Sequence, residues 1–219
     1  METQTKNILL VCIGLFLLFS WSKQLKSESL FSERVQEGDL KTINGLQIIA
    51  IAILLLPILI DPSCFASYLR FPAISIARSV ALLLSMLTVA VFMHVYNVEK
   101  QQFRFSKDAI IPLHLYVLLR IAFIILYEWF MRGLLLTALI LWFGLPIAVL
   151  INLAIYVLLH SHKTMKEMLG CIPFGLLVVG FAIWWNSPWP AVILHLQLCL
   201  SYELPHLKKY LLIKKHELV

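Results

Sequence analysis

The chain has 219 residues, of which 61% are hydrophobic and 14% charged, and its mean hydropathy is +0.88. A soluble globule of this length has too little interior for that much apolar surface, so the composition excludes a soluble fold and fits lipid as the solvent. A net charge of +6 would suggest nucleic acid in a soluble protein. Here the basic residues lie between apolar runs and in the tail, so membrane topology accounts for them and no nucleic-acid partner is expected.

Crossing the ~30 Å hydrocarbon core takes about 20 helical residues. On that basis the chain reads as all-α, a polytopic transmembrane helical bundle of about seven spans forming a single membrane domain over 1–219. The first span, 8–22, is short. Lys6 precedes it as in a signal peptide, but Ser20-Trp21-Ser22-Lys23 lacks the alternating small residues of a cleavage site, so the segment is expected to stay. Spans at 43–60 and 73–97 follow. The fourth, 109–141, is too long for a straight crossing, and Gly133 marks a candidate bend. Gly144-Leu145-Pro146 turns into 145–161, then comes 169–185, and Asn186-Ser187-Pro188 turns into 189–204. Residues 205–219 read as a basic tail. Cys12, Cys64, Cys171 and Cys199 form no CxxC pair, so neither a zinc knuckle nor a disulfide framework is expected.

Charge placement tests this map. With the N-terminus outside, the inner loops and tail hold thirteen Lys and Arg and the outer segments two, Lys6 and Arg70. Arg78, Arg120 and Arg132 fall within spans. The asymmetry predicts an integral protein of the cell membrane with a cytoplasmic C-terminus.

Glu128 is the acidic residue lying well inside a predicted span. An unpaired carboxylate there costs at least ~2.5 kcal/mol on insertion scales. Arg132 follows at i+4, on the same helix face, where the two charges can pair. Pairing admits two readings: an ion pair that fixes helix packing, or a polar site. His160 ends the fifth apolar run and His195 lies inside the seventh. One histidine in a span is commonly a hydrogen-bonder between helices. Two, with a Glu-Arg pair, on three helices, suit hydrolysis of an amide. The carboxylate takes a proton from water and returns it to the leaving amine, histidines position the water or donate to an oxyanion, and arginine holds the carboxylate. Glu128, His160 and His195 are also zinc-ligand types, so a divalent metal stays open as a cofactor, although no HExxH motif supports it.

Three short motifs resemble those of the CPBP family, the intramembrane proteases that include type II CaaX endopeptidases and bacteriocin-processing or self-immunity proteins. Tyr127-Glu128-Trp129-Phe130-Met131-Arg132-Gly133 is similar to EExxxR followed by Gly, Tyr156-Val157-Leu158-Leu159-His160 to FxxxH, and His195-Leu196-Gln197-Leu198-Cys199 to HxxxN or HxxxD. The approach Ser187 to Leu194 and the span from Gly175 to Gly180 also resemble the family. The resemblance covers about 109–204, which it marks as the catalytic core. It implies a membrane peptidase whose partners are lipid and a peptide or protein substrate. Glu128, His160, His195 and Arg132 would be its catalytic group, with Tyr127 and Cys199 as accessories. Tyr127 replaces the first glutamate of the family's pair and Cys199 replaces its Asn or Asp. These departures keep a second reading open, an inactive relative acting as a membrane immunity or scaffold protein. A small proton-linked transporter is a third, though matching half-repeats with broken helices are not seen. The simple span map also puts His195 roughly 9 Å and His160 roughly 22 Å from the outer side, different depths unless the fifth helix begins above the membrane or tilts.

Overall fold

The computed structural model describes residues 8–18, 39–62, 72, 74–97, 110–160 and 165–201. The tail 205–219, Cys64 and most of the loop charges lie outside these residues. Within them the chain is helical, with no strand. The helices are α1 (Ile8–Leu18), α2 (Asp39–Ile60), α3 (Ile76–Asn97), α4 (Ile110–Glu128), α5 (Leu136–Phe143), α6 (Leu145–Leu159), α7 (Met165–Trp185) and α8 (Trp189–Ser201). A π-helical stretch, Trp129–Leu135, joins α4 to α5 without a break.

Apolar runs become helices in lipid because each backbone N–H and C=O must be satisfied within its own segment. Three stretches are long and apolar enough to cross a membrane: Ile76–Val95, Leu115–Phe143 and Met168–Trp185. Four shorter apolar helices, Ile8–Leu18, Asn44–Ile60, Leu145–Leu159 and Trp189–Ser201, occupy the other runs read from the sequence. The protein is an all-α integral membrane protein. Large apolar side chains such as Leu83, Leu87, Val95, Leu118, Leu141, Leu150 and Leu158 face outward, as lipid solvation allows.

Both expected turns form where the residue types require them. Gly144 has φ 75° and ψ 166°, a region essentially restricted to glycine. Its N–H donates to the Ile140 carbonyl at 2.9 Å, closing α5, and Pro146 sits in the first turn of α6. At the end of α7, Asn186 adopts φ 49°. Asn186 N–H donates to Ile183 and Ser187 N–H to Ala182, a Schellman closure with Asn in the left-handed position. The Ser187 hydroxyl then accepts the Trp189 N–H at 3.3 Å and caps α8.

Packing follows a simple plan. α2 lies along α4, α5 against α6, α6 against α7, and α7 touches the π stretch. One buried cluster gathers Ile8, Val11 and Leu15 of α1, Leu54 of α2, Tyr127, the apolar side chains of the π stretch, and Tyr156 of α6. A second joins Leu82 of α3 to Val178, Phe181 and Trp185 of α7 and to Ala191 and Leu194 of α8. Gln197 Nε2 donates to the Met86 carbonyl at 2.6 Å, a polar link between α8 and α3.

Candidate active site

The site begins with the π stretch. Here the N–H of Leu136 reaches back five residues to the Met131 carbonyl, so the turn is one residue wider than in an α-helix. All seven of its residues, Gly133 included, are buried. Met131 O also accepts from Asn152 Nδ2 of α6 at 2.8 Å. The wide turn therefore lies where the sequence suggested a bend, and α6 grips it.

Glu128 stands at the entry to this turn with no exposed surface. Arg132 Nη1 approaches its Oε2 at 3.2 Å and its Oε1 at 3.4 Å. His195 Nδ1, from α8, meets Oε1 at 2.5 Å. A carboxylate only accepts, so Nδ1 carries the proton in that contact. The Arg132 guanidinium carbon lies over the Tyr156 ring at 4.7 Å, which fixes the guanidinium from its face while Glu128 holds one end. The opposite charges are thus paired within one small group, as an intramembrane carboxylate requires.

Around His195 the rings of Tyr127, Phe174 and Tyr156 stand edge-on, with centroids at 5.9, 5.8 and 6.4 Å. His160 closes α6. Its Nδ1 lies 2.8 Å from the Tyr156 carbonyl and its ring 4.6 Å from the Tyr156 ring. A carbonyl only accepts, so Nδ1 donates, and in the neutral ring Nε2 is then the acceptor. Both histidines therefore lie against Tyr156. The path from Ile110 to Phe143 is also overlong for one straight crossing. At ~1.5 Å per residue it extends roughly 50 Å, well beyond the ~30 Å core, before α6 turns back.

Tyr127 is buried, stacked on Phe123 at 5.6 Å and edge-on to His195. Cys199, one turn beyond His195, accepts from Arg120 Nη2 at 3.6 Å. Among the described residues no three His, Cys, Asp or Glu side chains are grouped to hold a metal ion. Glu128 and His195 make only a pair, and Arg132 already supplies the positive charge at the second carboxylate oxygen. Catalytic zinc sites use three protein ligands, so no step is derived through a metal.

Three contributors were not assigned roles from the sequence. Asn152 is a lone amide in an apolar helix, four residues before Tyr156 and eight before His160, hence on their face. That polar interruption was the available signal. Tyr156 was visible only as a motif position, not as the ring on which Arg132 and both histidines converge. Arg120 was noted within a span, and only the folded chain brings it to Cys199.

Residues 109–198 match the family described as type II CAAX prenyl endopeptidase Rce1-like. Over that segment the chain is similar to this CPBP-type protease family. The matched stretch runs from the start of α4 through most of α8, and so contains Glu128, Arg132, Asn152, Tyr156, His160 and His195. No curated protein and no solved structure matches the chain. The family matched is a protease family, and Tyr127 and Cys199, at the ends of the matched motifs, are the positions that depart from the pattern resembled in the sequence.

Proposed function

We propose that the protein is an intramembrane endopeptidase that hydrolyses a peptide bond of a membrane-associated substrate with a glutamate-activated water. The observation that carries this reading is the buried contact between Glu128 and His195, made across α4 and α8 inside the family segment. Glu128 Oε2 makes no hydrogen bond, although Arg132 lies beside it, and is the oxygen assigned to take the proton from water. The hydroxide attacks the scissile carbonyl, the C–N bond breaks, and the proton passes to the leaving amine. His195, protonated at both ring nitrogens, donates from Nε2 to the oxyanion while Nδ1 stays on Glu128, His160 Nε2 positions the water, and Arg132 orients Glu128. A bundle of about seven spans in the cell membrane, N-terminus outside, is the topology proposed with it.

The family description names a prenyl endopeptidase, so a prenylated CaaX peptide with a fluorescent reporter is the first substrate to try. Membranes carrying the parent should cleave it. Glu128→Gln and His195→Ala, at parental levels, should lose roughly 100-fold or more. Equal rates in parent and variants would remove both residues from the mechanism.

The second reading, a catalytically inactive relative serving as a membrane immunity or scaffold protein, is favoured by one observation. Tyr127 fills the place of a carboxylate with a buried ring packed on His195. Cleavage that appears only in Tyr127→Glu would select it.

A further inference from the structure

Asn152 lies outside the three motifs and outside the set of groups assigned to the reaction, yet it makes the hydrogen bond between α6 and the wide turn beside Glu128. Its side chain has no exposed surface. Nδ2 donates to Met131 O at 2.8 Å, while Oδ1 makes no hydrogen bond among the described residues. A half-satisfied amide in an apolar interior is a costly way to fill space. Leucine, of similar volume, would pack there without an unpaired oxygen. Packing alone therefore does not account for an Asn at this position.

Its acceptor does. Met131 O is also the carbonyl reached by the Leu136 N–H in the five-residue bond that defines the π turn. Single-turn π geometry is less favourable than α and occurs where a helix must re-aim its side chains. Glu128 enters this turn and Arg132 lies within it, so its width sets the direction of the carboxylate relative to the guanidinium and to His195 on α8. The same helix face that carries Asn152 carries Tyr156, the ring under Arg132, and then His160. α6 thus registers the turn at one point and supports its arginine at the next.

We propose that Asn152 is a positioning residue for the Glu128–Arg132–His195 group, acting by holding the Met131 carbonyl and with it the wide turn between α4 and α5. The proposal rests on the peptidase reading for its consequence in catalysis, but not for its structural readout.

The test uses the full chain in membranes. Met131-Arg132 is the single Met-Arg pair in the sequence, so carbonyl-¹³C methionine with ¹⁵N arginine isolates one carbonyl in solid-state NMR, and ¹⁵N histidine reports the His195 ring once its signal among the seven histidines is assigned by its loss in His195→Ala. In Asn152→Leu, both the Met131 carbonyl and the His195 ring resonances should move. Cleavage of the prenylated reporter should lose roughly tenfold or more in kcat with KM nearly unchanged, the mark of misplaced groups rather than weakened binding. A Met131 carbonyl that moves while the His195 ring and kcat stay parental overturns the proposal and leaves Asn152 a packing residue. If Asn152→Leu does not reach parental levels, Asn152→Ala, which introduces nothing to mispack, answers the same question. Should the parent not cleave the reporter, the peptidase reading loses its support, yet the His195 resonance still decides the positioning role: unchanged, it overturns it.

Discussion

Arg132→Leu is expected to destabilise the protein by about 3–5 kcal/mol, because it leaves the Glu128 carboxylate buried without its cationic partner. Glu128→Leu/Arg132→Leu is expected to recover most of that loss, since leucines fill the same space without charge. Recovery stops short of full because the His195 Nδ1–H loses its acceptor, a cost of about 1–3 kcal/mol. Thermal unfolding in detergent, compared across parent, single and double variants, measures the order: parent, then double, then single. Reporter cleavage should be absent from both variants. The comparison separates the two readings that the i, i+4 spacing left open. A pair present for stability would not be replaced so cheaply by two leucines. Equal stability of the single and double variants would show that the carboxylate finds another partner when Arg132 is gone.

The second large effect falls on a glycine with no polar chemistry of its own. A Cβ at Gly175 of α7 would meet Leu153 Cδ1 at 2.6 Å and Tyr156 Cδ1 at 3.0 Å. The leucine methyl can swing aside. The tyrosine ring cannot move freely, because it is fully buried and lies between Arg132 and His160. Gly175→Val should therefore cost about 1–3 kcal/mol of overpacking and reduce cleavage more than stability alone explains, by displacing the ring that carries the guanidinium. Gly180 lies in the same helix with nothing within 4 Å of its would-be Cβ. Gly180→Val should stay within about 0.5 kcal/mol of the parent and keep parental cleavage. Membrane levels, unfolding midpoints and reporter rates for the pair test this directly. A similar loss at both positions would place the effect in the helix backbone instead of at Tyr156.

The two glycines also show what could be read from the chain and what could not. Both were visible as a family-like pair, but their spacing says nothing about which of them a neighbouring ring approaches. The apolar runs were legible because lipid solvation imposes a helix on each, and the Gly144 and Asn186–Pro188 turns because few residues tolerate those backbone angles. The Glu128–Arg132 pair followed from spacing within one helix. Its partner on α8 stood out as a histidine inside an apolar run and again in the motif resemblance, but its contact with Glu128 did not, since no local rule relates residues 67 positions apart. The role of Asn152 was hidden for a different reason. A side chain that bonds a backbone carbonyl leaves no partner residue type to recognise, and the π turn it holds has no sequence signature beyond a glycine in an apolar run. The straight-span map separated His160 from His195, whereas in the folded chain both rings lie near Tyr156.

The first helix pair gives the family segment a different boundary from the one similarity draws. Ile8, Val11 and Leu15 of α1 and Leu54 of α2 belong to the same buried cluster as Tyr127 and Trp129, and Met86 of α3 receives the amide of Gln197. The stretch 109–198 is thus recognisable on its own but is not walled on its own. Cut out of the chain, it would lose the apolar packing that α1 and α2 give to the cluster holding Tyr127 and Trp129. Similarity is confined to the second half of this protein, whereas part of the apolar packing behind it is supplied by the first half. Transplanting the motifs into another bundle would therefore require moving that packing with them.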